Sequence, residues 1–244
     1  MKQLTNIEDL VYGNLDAESI MYIGVKNDFT KLIDDFKDYP YPTIDVSKQE
    51  IERLIQEQKE YMLRSGKGKY QALLNLDKNI KRLTESGIME DTSEFWQDAD
   101  VDIQKVFKKQ FRKIGIPYTR KFAQHLEEAQ EELGALVMQL KQYYNRPRPY
   151  QIAYYTNQKL HPFMTTSGNT PAYPSGHACQ GRFLMKIAAY HYPHKEMALK
   201  RLADRIAHSR VYMGLHYASD NKFGIMIADR LATYPSIKKK YFRR

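Results

Sequence analysis

The chain has 244 residues with 42% hydrophobic side chains and a net charge of +9, which is enough apolar sequence for one sizeable core. Its single cysteine, Cys179, excludes an internal disulfide, and no apolar run approaches the roughly 20 residues that a membrane helix needs. The N-terminal sequence also lacks the apolar stretch of a signal peptide. We therefore expect a cytoplasmic protein without a membrane span. Its positive charge favours anionic partners without choosing among nucleic acid, membrane surface and small phosphorylated molecules.

Helical periodicity runs through most of the chain, and the strict alternation typical of strands is nearly absent. The first predicted helix opens with a capping box formed by Ser47 and Glu50. Segment 150–174 is predicted to be irregular, and the basic tail 238–244 to be a solvated, frayed terminus. The predicted helices, in chain order, cover about 47–63, 70–83, 93–114, 118–145, 175–192, 195–213 and 218–234.

Several of these helices carry a polar residue on the apolar face. Arg210 lies on the stripe of helix 195–213, and His177 leads the stripe of helix 175–192. His216 and Asp220 extend the apolar stripe of helix 218–234 towards its N-terminus. Lys141 lies at the edge of the apolar face of helix 118–145. Burying an unpaired charge is costly, so we expect these groups to meet one another or a ligand.

The charges of this cluster point to a missing anion. Lys141, Arg148 and Arg210 are three cations against one aspartate. Ser175 suits an N-cap and Gly176 leaves backbone N–H groups accessible, so a helix that starts here offers an anion site. A structural polar network that knits the bundle, or side chains that reach water, would explain the spacing equally well.

Three residues have the chemistry of catalysis. A histidine held by an aspartate four residues later, as in His216 and Asp220, is a positioned nucleophile or base. His177 is placed to protonate a leaving oxygen. With the cations, these are the parts needed for phosphoryl transfer without a metal, and no spacing of His, Glu or Cys suggests a metal site.

The motifs that carry these residues form a three-part signature. They are "KQYYNRPRP" (141–149), which fits K-x6-RP, "PSGH" (174–177), and "SRVYMGLHYASD" (209–220), which fits SR-x5-H-x3-D. In this order and spacing, the sequence resembles the type 2 phosphatidic acid phosphatase superfamily. That superfamily includes bacterial non-specific acid phosphatases and vanadium haloperoxidases. The resemblance implies an all-α helical bundle of this type.

The resemblance also implies roles. His216 would attack phosphorus and form a phosphohistidine, Asp220 would orient His216, and His177 would protonate the leaving group and then activate water. No cofactor would be needed, and phosphate or vanadate would occupy the site. The residues that would bind the phosphoryl oxygens are Lys141, Arg148, Ser175, Gly176 and Arg210.

We interpret the chain as one all-helical domain, 1–244, with N-terminal helices of no recognised motif (1–116) and a catalytic helical core (117–235). Lipid phosphatases of the superfamily have membrane spans, secreted members have signal peptides, and haloperoxidases are longer. Elimination leaves a phosphatase for a small soluble phosphomonoester, such as a nucleotide or sugar phosphate.

Two other interpretations stay open. A vanadate-dependent haloperoxidase would use the same pocket. A non-catalytic protein would bind phosphate or nucleic acid, and it is disfavoured because binding needs no positioned nucleophile. The sequence leaves the oligomeric state open, a homo-oligomer included.

Overall fold

The predicted all-helical fold is confirmed, since the described residues form helices and no strands. The computed structural model describes residues 7–14, 17–64, 93–160, 162 and 165–243. None of the helices in these ranges is long and apolar enough to cross a membrane. The α-helices are α1 (Ala17–Ile20), α2 (Asp34–Lys37), α3 (Ile44–Arg64), α4 (Ser93–Val101), α5 (Ile103–Ile114), α6 (Arg120–Tyr144), α7 (Pro149–Tyr155), α8 (Gly176–His191), α9 (Glu196–Tyr212), α10 (Ala218–Leu231) and α11 (Pro235–Tyr241).

Several helix ends agree with the sequence. Ser175 caps α8, and its hydroxyl accepts a hydrogen bond from the Ala178 N–H at 3.4 Å. Gly115 ends α5 with a φ of 74°, and Gly214 follows α9 with a φ of 69°. Both glycines take the left-handed conformation that commonly ends a helix.

The predicted capping box of Ser47 and Glu50 is wrong. Helix α3 begins three residues earlier, and Thr43 Oγ1 accepts a hydrogen bond from the Val46 N–H at 3.3 Å. Ser47 lies inside the helix, where its hydroxyl donates to the Thr43 carbonyl at 3.0 Å. Thr43 therefore takes the capping role, which leaves Ser47 and Glu50 free for contacts elsewhere in the fold.

The predicted helix 93–114 is two helices, because Asp102 interrupts it. Asp102 has extended backbone, and its carboxylate accepts from the Gln104 N–H at 2.8 Å to cap α5. The helix predicted at 70–83 lies outside the described residues.

Two segments predicted to lack regular structure are partly helical. Residues 150–155 belong to α7, which begins at Pro149, where the missing N–H of proline costs nothing. The tail is ordered rather than frayed: α11 buries Tyr241, which stacks on Phe29 with ring centroids 5.5 Å apart. Lys240 pairs with Glu132, so one of the basic residues of the tail is bound to the bundle.

Helix α8 is the centre of the bundle and packs against α6, α9 and α10. Gly224 lets α10 approach closely, since a Cβ there would lie 2.6 Å from the Ser175 carbonyl oxygen and 3.1 Å from the Cys179 nitrogen. Phe29 and Phe36 from the N-terminal part are buried in the same core cluster. The core thus fixes the start of α8 against its neighbours, which is where PSGH lies.

Candidate active site

His216 lies at the centre of a chain of hydrogen bonds. It sits just before α10, is almost fully buried, and its Nδ1 lies 3.0 Å from Asp220 Oδ2. Its Nε2 lies 2.9 Å from Arg148 Nη1. A guanidinium can only donate, so Nε2 is the acceptor and Nδ1 carries the proton that is donated to Asp220. His216 is therefore held in one tautomer with a lone pair on Nε2.

Burial governs the ionisation of this pair. Desolvation, followed by the positive charge of Arg148, holds the pKa of His216 well below its usual range, so the imidazole is neutral. Desolvation raises the pKa of Asp220 to about 6, against the opposing charge of a buried arginine, Arg146. The Tyr217 N–H donates to Asp220 Oδ2 at 3.0 Å and helps to fix the carboxylate.

A cavity of about 300 Å³ opens beside His216. Lys141, Gly176 and His177 also line it, which places all three parts of the signature around one space. His177 is half-buried, and desolvation together with the charge of Arg210 holds its pKa well below the usual range. A hydrogen bond to the main chain at Asp100 acts in the opposite direction.

Lys141 and Arg148 are buried and bind main-chain oxygens. The Lys141 ammonium donates to the Pro171 carbonyl, and its pKa is well below the usual range because of burial and then of Arg148. Arg148 donates from Nε to the Thr170 carbonyl at 2.7 Å and from Nη1 to the Leu215 carbonyl at 2.7 Å. Burial lowers the pKa of Arg148 to about 10. Among the described residues, neither cation has a carboxylate within ion-pair distance.

Arg210 is fully buried and does not line the cavity itself, but it binds a residue that does. Its Nη2 donates at 2.5 Å to the hydroxyl of Ser167, which lines the cavity, and its Nη1 lies 2.8 Å from Asp100 Oδ1. Its Nε has no hydrogen-bond partner among the described residues. Ser175 is buried at the start of α8. It does not line the cavity, but it caps the helix whose first residues do.

Comparison with protein families matches residues 133–240 to the PAP2 superfamily. The matched segment contains every residue of the three-part signature, and the geometry above brings those residues together. This segment belongs to the PAP2 superfamily. A comparison with curated proteins finds no match. Membership of the superfamily suggests phosphatase-type activity.

Asp100 is a residue near the PAP2 site that sequence analysis missed. It comes from α4, outside the matched segment, and binds both Arg210 and the Ser167 hydroxyl. No local pattern singles it out, because its contact with Arg210 spans 110 positions of the chain. The expectation of three cations against one aspartate is therefore incomplete, since Arg210 has a carboxylate partner.

Arg146 is the second missed residue, and it lies only two positions before the signature arginine. It is almost fully buried, and its Nη1 donates to Asp220 Oδ1 at 2.5 Å. Its Nη2 donates to the Ser47 hydroxyl at 2.7 Å and lies 3.3 Å from Glu50 Oε2. Glu50 also accepts from the Ser219 N–H at 2.7 Å. Arg146 thus links the Asp220 carboxylate to helix α3.

Proposed function

We propose that the protein is a metal-independent phosphomonoesterase that works through a phosphohistidine on His216. One observation carries the proposal: a buried neutral imidazole has its Nδ1 proton held by Asp220, while Nε2 keeps a lone pair at a cavity lined by a second histidine. An unprotonated, oriented nitrogen is what a nucleophile needs, and a structural network would not require this tautomer.

The first step forms a bond between His216 Nε2 and phosphorus and breaks the bond between phosphorus and the ester oxygen. Nε2 loses the hydrogen bond that it accepts from Arg148 and bonds to phosphorus instead. The freed N–H of the guanidinium then donates to a phosphoryl oxygen. His177 gives its proton to the departing oxygen. Because the ester brings negative charge, it offsets the repulsion that keeps His177 deprotonated, so the acid becomes protonated as the substrate binds.

In the second step, water attacks phosphorus and the bond from phosphorus to Nε2 breaks. His177 accepts the proton of the water, and phosphate leaves. The cations Lys141 and Arg148 and the first N–H groups of α8 supply the electrostatic stabilisation of the equatorial oxygens, which is usually the largest contribution in such chemistry. No step is assigned to a metal.

The test measures phosphate release from small monoesters in EDTA, with and without vanadate, in the wild type and in His216→Ala. We expect turnover that survives EDTA, is inhibited by vanadate and is abolished in the variant. A labelled intermediate that survives alkali and is lost in acid would identify phosphohistidine. A folded protein that releases no phosphate, but oxidises halide with added vanadate and peroxide, would overturn the proposal in favour of a peroxidase.

A further inference from the structure

The cavity extends past the phosphoryl site into a region that the PAP2 signature does not include. Lys141, His177 and His216 are at one end, and the N-terminal segment together with Gly134 and Met138 of α6 and Gln180 of α8 forms the other. We propose that this second region is a leaving-group subsite for an uncharged alcohol that carries a planar ring, an inference that rests on the proposed function. The residues that form the subsite are Ser19, Tyr22, Gly134, Met138 and Gln180.

Gly134 is the first observation behind the subsite. It lies in the interior of the 25-residue helix α6, where glycine costs about 1 kcal/mol relative to alanine. A Cβ at this position would lie 3.4 Å from Gln180 Nε2 and 4.0 Å from Tyr22 Cε1. An alanine would therefore just fit, whereas a longer side chain would enter the cavity. The glycine keeps the floor of the subsite open.

Tyr22 is held over this floor by its main chain. Its N–H donates to the Ser19 carbonyl at 3.2 Å, and its carbonyl accepts from Gln139 Nε2 at 3.0 Å. Gln139 also donates to the Val25 carbonyl at 2.9 Å, so α6 anchors the whole turn. With Met138 on the same helix, the subsite offers an aromatic ring and a thioether, and both favour contact with a flat ring.

The charges and the size of the cavity limit which leaving groups it can accept. Among the described lining residues, the charged and basic side chains occur only at the phosphoryl end, and none is Asp, Glu or Arg. A second phosphate or a carboxylate on the leaving group would be desolvated there without a partner. The amide of Gln180 donates to the Gln130 carbonyl at 3.1 Å and keeps further capacity to bind a ring substituent. A volume of about 300 Å³ is at the lower end for small-molecule sites, which suits a phosphoryl group and one ring.

The test compares kcat/KM for esters whose leaving groups have matched reactivity. These are ethyl phosphate, cyclohexylmethyl phosphate, benzyl phosphate and 4-carboxybenzyl phosphate. We expect benzyl phosphate to exceed each of the others about tenfold, the scale on which an apolar pocket discriminates. Equal values for benzyl and ethyl phosphate would overturn the subsite while leaving the phosphatase intact.

Two variants localise the preference. Gly134→Leu places a side chain in the subsite and should reduce the ratio of benzyl to ethyl turnover to about one. Gly24→Leu adds the same side chain at a nearby exposed position with nothing within 4 Å of its Cβ, and it should keep the wild-type ratio. An unchanged ratio in Gly134→Leu would contradict the placement.

If no ester is hydrolysed, the binding of inert analogues still tests the subsite separately from the proposed phosphatase activity. Benzylphosphonate and ethylphosphonate cannot be turned over, and calorimetry gives their affinities directly. Tighter binding of benzylphosphonate, lost in Gly134→Leu, would uphold the subsite and overturn only the hydrolytic reaction. Equal affinities would overturn the subsite.

Discussion

Asp100 Oδ1 lies 2.8 Å from Arg210 Nη1, so a carboxylate from outside the matched segment holds an arginine of the PAP2 signature. Both side chains are buried, which makes the pair an internal competitor for any anion that approaches Arg210. The carboxylate also accepts from Ser167, whose hydroxyl accepts in turn from Arg210. Under the proposed function, Asp100 would therefore set part of the strength of phosphate binding at this site.

Neutralising Asp100 should tighten anion binding. In Asp100→Asn, the amide keeps the shape of the side chain while the repulsion of the bound anion disappears. We expect vanadate to bind about tenfold more tightly, or ~1.4 kcal/mol, which is a modest part of the ~4 kcal/mol between unit charges 4 Å apart near a protein surface. Isothermal calorimetry measures the change.

Asp98 provides the matched control for this variant. It lies on the same helix and is equally buried, but its partners are Lys105 and Lys109 at 2.6 Å. Asp98→Asn should leave the vanadate affinity close to that of the wild type. Weaker binding in Asp100→Asn would mean instead that Arg210 needs the carboxylate to stay in place.

Asp100 shows what sequence patterns could and could not predict here. The prediction that Arg210 and Asp220 face inward is confirmed, because their positions follow helical stripes, which are local properties of the sequence. The contact of Asp100 with Arg210 depends on how two helices that are distant in the sequence pack, and the sequence predicts one helix over 93–114 where Asp102 separates α4 from α5. The predicted domain limits and the roles of the site residues stay predictions.

The misread capping box has a similar cause. The pattern of Ser47 and Glu50 fits a local capping motif, yet both side chains bind Arg146 across the fold. A local motif and a tertiary contact use the same residue types, because both need short acceptors near N–H groups. Only the packing of α3 against the start of α7 distinguishes them.

Phosphate binding should take up protons. Burial and the nearby arginines lower the pKa of Lys141, and a bound dianion would raise it by supplying the missing opposite charge. At pH 8, we expect the binding enthalpy to differ between HEPES and Tris with the sign of proton uptake. Lys141→Met should lose the share of this uptake that belongs to Lys141, while His177 keeps the rest. Identical enthalpies in both buffers for the wild type would show that neither group takes up a proton.

Stability should fall on acidification because of His216. Its folded pKa lies below the usual 6.5, so its contribution is complete above pH 6.5 and is lost as the pH falls towards the folded value. Asp220, whose pKa is raised to about 6, acts in the opposite direction below that pH. Relative to His216→Gln, the wild type should lose about 1 kcal/mol more unfolding free energy between pH 7 and 5.5.

Urea denaturation at both pH values measures this difference. The exposed His194 provides the control, and His194→Gln should keep the wild-type pH dependence. A wild type whose pH dependence matches that of His216→Gln would show that His216 has the same pKa in the folded and the unfolded protein.

Arg146 should act as a positioning residue for the nucleophile, because its charge lowers the pKa of the Asp220 carboxylate that holds His216. In Arg146→Gln, the pKa of Asp220 should rise, and the acid limb of the pH–kcat profile should move to higher pH. The loss of a buried partner for two carboxylates should also cost about 3 kcal/mol or more of unfolding free energy. The pH dependence of kcat measures the first effect, and urea denaturation measures the second.

Arg182 is the matched control, since it pairs with Asp229 on α10 at 2.8 Å but remains partly exposed. Arg182→Gln should cost less than about 1 kcal/mol and leave the pH–kcat profile in place. If Arg146→Gln does not fold, Glu50→Gln keeps the Arg146–Asp220 pair and the hydrogen bond from Arg146 to Ser47, and it removes only the charge of Glu50. A shifted acid limb in Glu50→Gln, with Asp220 still paired, would show that the charge of Glu50 rather than that of Arg146 sets the ionisation of the carboxylate.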